Sequence, residues 1–306
     1  MKIAISGAGG YIGKEVVAHA LNQGHAVVAI VRDKYPREWD KLENLVVKPC
    51  DLLEGAAALD NVLPGCDALI HLAAIMNGND QYTKTLEATK NVLDAMDRAE
   101  VKRLVNVSSI AVLDYVRQLP MSTIDEMVPP ASCDQDLGCY ALMKRDQEEL
   151  CKSWRGGGKT LIQLRPGIVY DKGNLSNYHV GFKFLAVKHE GKVPVVHVKN
   201  VSAAAVTAAG NELDDKILHL TNDELPTQTQ YIAKLKSNGN IGLIFPLQWQ
   251  LFSFIMLLFR IFFSIFGKVP DSFRRNSVAA RQKPFQYSNN NAKELLQWQP
   301  RASLED

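Results

Sequence analysis

At 306 residues the chain is long enough for one large domain or for two unequal parts sharing an interface. Hydrophobic residues make up 46% and charged residues 22%, the balance of a globular protein with a buried core and no low-complexity tract. A formal net charge of +2 excludes the broad basic footprint of a nucleic-acid binder, and five cysteines without CxxC spacing exclude a zinc ribbon or disulfide framework and point to a reducing compartment.

Met1–Ser6 runs straight into an apolar strand rather than a signal peptide, so the expected location is cytoplasmic. Lys2–Ser6 is the first strand, followed by glycines and a helical pattern through Val16, Val17, Ala20 and Leu21. His25–Val31 is the second strand, Leu45–Lys48 the third and Asp67–Ala73 the fourth. A long helix from about Tyr82 to Ala99 leads to a fifth strand at Arg103–Ser108, and a helix from Tyr140 leads to a sixth at Leu161–Arg165. Short β-rich runs alternating with helices predict an α/β fold, a doubly wound parallel sheet covered on both faces. After Pro166 the loops lengthen, and a smaller, mostly helical part is expected, with Lys216–Leu220 a candidate strand for the main sheet. From Leu251 to Phe266 the residues are almost all apolar, interrupted by Ser253, Arg260 and Ser264. The run is shorter than the roughly 20 residues of a membrane span. A largely buried helix is expected, with a helix lying on a membrane surface as the alternative.

The glycines at 7, 10 and 13 lie between the first strand and the first helix, in Gly7-Ala8-Gly9-Gly10-Tyr11-Ile12-Gly13. Glycine permits the tight turn and the close approach of a pyrophosphate, and the helix N-terminus offers free N–H groups and a positive dipole end. Strand before and helix after make this a dinucleotide fingerprint, GxxGxxG, with Tyr11 and Ile12 beside the phosphates. Residues 1–170 then form the dinucleotide-binding part and 171–306 mainly the substrate-binding part, the strand near 216–220 returning to the former. Arg32 ends the second strand, where an acid would bind the ribose 2′-hydroxyl of NAD(H) and an arginine accommodates a 2′-phosphate. NADP(H) is therefore favoured and NAD(H) left open, as is a surface Arg32 paired with Asp33. Asp51 and Leu52 follow the third strand toward the adenine, and Ala73 ends the fourth.

Tyr140 and Lys144 stand four residues apart on one helix face, after Ser108-Ser109 in chain order. Alone, such a pair arises by accident. The order of motifs carries more: GAGGYIG, Asp51-Leu52, HLAA from His71, VKRLVNVSSIAV from Val101, YALMK from Tyr140, LRPGIVY from Leu164, VHVKN from Val196 and NAKELLQWQPRASLE from Asn291. Over nearly its whole length the chain resembles the extended short-chain dehydrogenase/reductase superfamily, in its sugar-nucleotide epimerase/dehydratase branch. The resemblance implies Tyr140 as acid/base, Lys144 on the nicotinamide ribose and lowering the phenol pKa, and Ser109 on the reacting oxygen, with Ser108 a backbone-capping neighbour. Departures fall at Thr85, where the branch has Asn, at Asp171 after Tyr170, where it has Gly, and at Leu113, where it has Tyr.

Outside this constellation, Glu126, Asn174 and Arg274 are substrate candidates, Glu126 against a solvated acidic turn and Arg274 against a surface pair with Arg275. His71 reads as a packed histidine or a support near the cofactor. Lys199-Asn200 lies where the branch closes its site. No metal site is expected. The readings left open are a nucleotide-sugar 4-epimerase or 4-keto reductase, an NADPH-dependent reductase of a steroid- or flavonoid-like ketone, and an NADP(H)-binding protein without turnover. A small molecule, most simply a nucleotide sugar, is the expected partner, and a homodimer is left open.

Overall fold

The computed structural model describes residues 1–76, 80–175, 185–187, 189–238, 245–267 and 269–303. Its centre is a seven-stranded parallel sheet of β1 (Lys2–Ser6), β2 (Ala26–Val31), β3 (Leu45–Pro49), β4 (Ala68–His71), β5 (Arg103–Val107), β7 (Thr160–Pro166) and β11 (Lys216–Leu220), with β6 (Thr123–Ile124) outside it. The spatial order is β3-β2-β1-β4-β5-β7-β11, so the winding reverses between β1 and β4. This is the doubly wound, Rossmann-like arrangement, and a ligand crevice forms at such a switch point, outside the C-terminal ends of the strands. The inner strands are apolar throughout because both faces are covered: Ile3, Ile5, Ala29 and Val105 pack on one side, Ala4, Val28, Leu69 and Leu104 on the other.

Helices α1 (Tyr11–Asn22) and α4 (Val198–Ala209) cover the first face, and α2 (Gln81–Arg98) and α3 (Cys139–Trp154) the second. Short parallel pairs join β8 (Ile168–Tyr170) to β10 (Val195–His197), β9 (Leu185–Val187) to β12 (Phe245–Leu247), and β6 to β13 (Gln286–Tyr287). The remainder is helical: α5 (Gln228–Ser237), α6 (Trp249–Ile265), α7 (Arg275–Gln282) and α8 (Asn290–Leu296). Thr227 caps α5 through a box in which its hydroxyl accepts from Gln230 N while Gln230 Oε1 accepts from Thr227 N.

The apolar 251–266 run departs from expectation. It is a helix, but only Phe252 and Met256 are buried, Ile255 and Phe263 are partly covered, and Leu251, Phe254, Leu257, Leu258, Phe259, Ile261, Phe262, Ile265 and Phe266 are exposed. No helix among the described residues is long and apolar enough to cross a membrane.

One buried ion pair sets the position of α3. Arg165 on β7 donates from Nε and Nη2 to the two carboxylate oxygens of Glu148 at 2.8 and 2.6 Å, and the side chains are 1% and 3% exposed. The planar fork matches the carboxylate, which fixes α3 in register over the sheet. Replacing Glu148 with Gln leaves a buried guanidinium without its counter-charge, and stability should fall by about 3–5 kcal/mol. Urea denaturation of the wild type and the variant, with cofactor absent, measures that loss.

Candidate active site

The glycine turn is shaped for close backbone approach. Gly7 has φ +72°, and a Cβ there would lie 2.9 Å from the Ala73 amide nitrogen, where β1 and β4 part. A Cβ on Gly13 would meet the Gly7 carbonyl oxygen at 2.2 Å. Gly10 caps α1 and donates its N–H to the Gly7 carbonyl. Gly9, outside the three-glycine pattern, is equally constrained, since a Cβ would come within 2.4 Å of the Lys34 carbonyl oxygen. Its crowding partner arrives from the loop after β2, which spacing along one segment does not reveal.

A cleft of about 510 Å³ opens at this turn, bordered by Gly7, Gly10, Arg32, Asp51, Leu52 and Ala73. That is the volume of a cofactor-sized site. Thr85 borders it too, and its hydroxyl accepts from Ile75 N at 2.9 Å, pinning the loop that leaves β4. Asp51 Oδ1 accepts from Leu53 N, and the Leu52 carbonyl accepts from Asn91 Nδ2, so both residues shape this end of the cleft through their own loop. Arg32 lies on the cleft and also donates to Asp33 Oδ2 at 3.0 Å, with both side chains about two-thirds exposed. Ile12 packs inward against the core. Tyr11, half-exposed at the start of α1, shares its phenol with Asp171 and Asn174, and burial with the Asp171 carboxylate raises its pKa. Asn174 thus sits at the glycine turn.

Lys144 is the buried centre of the second half of the site. It is 4% exposed, one turn along α3 from Tyr140, which is 37% exposed. The Lys144 ammonium donates to the Val107 carbonyl at the end of β5 and to Gln147 Oε1, both at 2.9 Å. Desolvation lowers its pKa to about 8.

An ammonium has only donors, so the Gln147 atom facing it must be the carbonyl oxygen, and Nε2 must face away. Gln147 Nε2 then meets Thr89 Oγ1 at 2.9 Å and His71 Nε2 at 3.1 Å. Thr89 uses its own hydrogen on the Thr85 carbonyl, so it accepts from Gln147. His71 Nε2 lies 3.1 Å from both Gln147 Nε2 and Thr89 Oγ1, and its Nδ1 lies 2.6 Å from Ser6 Oγ. Burial and Lys144 push the His71 pKa down to about 3, so it stays neutral. A hydrogen-bonded chain thus runs from Lys144 through Gln147 to His71 and the end of β1. His71 is the support that its strand position suggested. Gln147 is the functional residue that motif reading missed; its one sequence signal is its position three residues after Lys144 on the same helix face.

Ser109 follows β5 and is nearly buried. Its Oγ accepts from Ala111 N at 3.1 Å, capping the 3-10 turn Ile110–Val112, against which α3 packs. With that lone pair engaged, the hydroxyl hydrogen is left to donate outward. The capping role expected of Ser108 is thus taken by Ser109, which stands with extended backbone directly before the turn. The Ser108 hydroxyl is buried without a partner among the described residues.

The start of α3 is held from a distance. Gly138, its N-cap residue, offers no side chain, and the Asp271 carboxylate accepts from Cys139 N at 2.7 Å instead. An anion there also complements the helix dipole. Arg274 donates to the Gln135 carbonyl in the preceding loop, and Asn276 accepts from Tyr115 N and donates to the Leu113 carbonyl. Asp271, Arg274 and Asn276 therefore clamp the segments that carry Ser109 and Tyr140.

Two sequence candidates are occupied elsewhere. Both Glu126 oxygens are bound within the protein, accepting from His219 N and from Asn291 Nδ2, because the chain end folds back over that turn. Asn200 is a hub between Asn222 and the Ala302 backbone, and its carbonyl accepts from Trp298 Nε1. Leu113 and Tyr170 are fully buried, and the Tyr170 hydroxyl accepts from Asn222 Nδ2.

The model of the NAD dependent epimerase/dehydratase family matches residues 3–211, which include the glycine turn, Ser109, Tyr140 and Lys144. The chain belongs to that family. Its fold is shared with the NAD complex of UDP-glucuronic acid 4-epimerase from Bacillus cereus, at a TM-score of 0.71 and 17% identity over 100% of this chain and 95% of that one. Among curated relatives, a 4-hydroxy-2-methyl-3-oxo-4-farnesyl-3,4-dihydroquinoline-1-oxide ketoreductase of Stigmatella aurantiaca is 28% identical over 56% of this chain and 51% of its own length, so the match spans about half of that protein. A decarboxylating sterol-4-alpha-carboxylate 3-dehydrogenase of Dictyostelium discoideum is 24% identical over 72% of this chain and 71% of its own. The family is described as NAD dependent, and these two relatives are by name a ketoreductase and a dehydrogenase.

Replacing Gln147 by Leu removes a charge-assisted hydrogen bond and strands three buried partners, so kcat/KM should fall roughly ten- to hundredfold. Gln147→Glu tests the same contact by pH. Lys144 is cationic below about 8 and loses its charge as pH rises through that value. A carboxylate beside it raises the lysine pKa, so the alkaline loss of NAD(P)H affinity should move to higher pH. Fluorescence titration of bound NAD(P)H across pH reads the shift.

Proposed function

We propose that the chain moves hydride between a nicotinamide dinucleotide and a carbon bearing a secondary alcohol or ketone, with Tyr140 as acid/base. The observation that carries this reading is the ammonium of Lys144, buried and aimed by two fixed acceptors, one turn from an accessible phenol and beside the Ser109 turn. The glycine cradle, which any Cβ would fill, fits a dinucleotide pyrophosphate at the N-terminus of α1, with Asp51 and Leu52 toward the adenine and Ala73 beside the turn. When bound, the nicotinamide accepts or supplies the hydride.

The residues of the chain then handle the proton. In oxidation, the substrate hydroxyl gives its proton to the Tyr140 phenolate as the carbon–oxygen double bond forms; in reduction the phenol returns it. The cation of Lys144 favours the phenolate and holds the nicotinamide ribose. Ser109 donates its free hydrogen to the reacting oxygen and so holds it facing Tyr140.

Between the two substrate classes that the sequence leaves open, the surroundings favour an apolar ketone or alcohol over a nucleotide sugar. Arg274, the cation expected for a diphosphate, donates to the Gln135 backbone, and the element bordering the clamp is the exposed apolar α6. The names of the sequence relatives, a farnesylated quinoline and a sterol, lie in the same direction. NADP(H) is the favoured cofactor, because Arg32 and Lys34 both border the cleft at the end of β2.

Replacing Tyr140 with Phe should lower turnover about 10²–10⁴-fold while the affinity for NADPH stays within about twofold. Retained turnover removes the acid/base assignment. Steroid-like and long-chain ketones, assayed beside uridine- and thymidine-diphosphate sugars by nicotinamide absorbance, test the substrate class; a response to the sugars alone overturns it. Arg32→Asp should weaken NADPH binding roughly ten- to hundredfold relative to NADH.

A further inference from the structure

α6 is apolar around its circumference, and such a helix is stable when all of it is covered, by protein or by lipid. Here one side is covered. Phe252 and Met256 pack with Val278 and Phe273. On the opposite side Leu251, Phe254, Leu258, Ile261, Phe262 and Ile265 recur at helical spacing, each between 50% and 75% exposed. A contiguous apolar stripe of this kind marks an interaction surface. The helix has 17 residues, about 25 Å in length, with Arg260 in its second half, so it is built to lie along an interface and not to cross one.

The charge around it is uneven. Residues 249–283 contain six cations, Arg260, Lys268, Arg274, Arg275, Arg281 and Lys283, against the single acid Asp271, while the whole chain carries only +2. Arg260 and Arg275 approach Asp136 at 3.7 and 3.6 Å, which offsets one charge of that surplus. Arg260, Arg275 and Lys283 rim a cleft of about 300 Å³ whose floor is apolar, with Met256, Leu257 and Phe273.

We propose that α6 and its basic flank form a docking face for an anionic lipid bilayer, the helix lying in the interface plane with its exposed stripe at the acyl boundary and the cations among the headgroups. A second copy of the chain is the less favourable occupant, because two such faces pressed together oppose two surpluses of positive charge. The docking face lies next to the chemistry. The turn that follows α6 carries Asp271, which caps the helix of Tyr140, and Arg274, which holds the loop before it. Resting on the function proposed above, this makes the substrate a membrane-resident ketone or alcohol, delivered to the site from the bilayer.

Flotation of the full chain on a density gradient tests the surface without turnover. The protein should float with vesicles of phosphatidylcholine containing phosphatidylglycerol, float poorly with phosphatidylcholine alone, and be released by high salt. The pair Phe254→Ser with Phe262→Ser, and separately Arg260→Gln with Arg275→Gln, should each lower partitioning about tenfold. Both pairs should retain wild-type NADPH fluorescence binding, which shows that they fold. Failure to float, or equal flotation of wild type and variants, overturns the proposal. So does sedimentation equilibrium that shows a lipid-free dimer which the phenylalanine pair converts to monomer. Specific flotation together with no turnover of apolar ketones keeps the docking face and rejects only the oxidoreductase reading of the substrate.

Discussion

The buried ammonium of Lys144 is the constraint on which the rest of the site depends. A cation in the interior survives only with acceptors fixed around it, and here the end of β5 supplies one and Gln147 the other. The cation dictates which way the Gln147 amide faces and so turns its Nε2 toward Thr89 and His71, and His71 in turn meets Ser6. Five elements, β1, β4, β5, α2 and α3, are thereby joined beneath the cleft by one polar network. A network of this kind is rigid when complete and costly when any member is lost.

The two halves of the site meet at Ala73. Its amide is what excludes a side chain at Gly7, and its carbonyl lies 3.4 Å from Gln147 Nε2. The backbone that shapes the glycine turn is therefore the backbone against which the lysine network is braced. Helix α3 is held at its start by Asp271 and in its second half by the Arg165–Glu148 pair, so the phenol and the ammonium share one rigid support. Positioning of this quality is what the protein contributes to hydride chemistry.

The C-terminal part is tied into the rest of the fold close to these groups. Asp271, Arg274 and Asn276, a few residues after the end of α6, hydrogen-bond to the start of α3, to the loop before it and to the segment after Ser109.

Much of this was legible in the sequence. Short apolar runs, helices between them and glycines at 7, 10 and 13 are local patterns, and local patterns determine the strands, the parallel winding and the glycine turn. The Tyr140–Lys144 pair was also local, being one turn apart on one helix face. What the tertiary structure decided is whatever depends on partners distant in the chain: the Gln147–His71 contact spans 76 positions and the Asp271–Cys139 cap 132. The same holds for Glu126, a candidate ligand until the chain end closed over it, and for α6. Composition shows that α6 is apolar, but burial is a relation between surfaces, and only the packed arrangement reveals that many of its apolar side chains stand exposed.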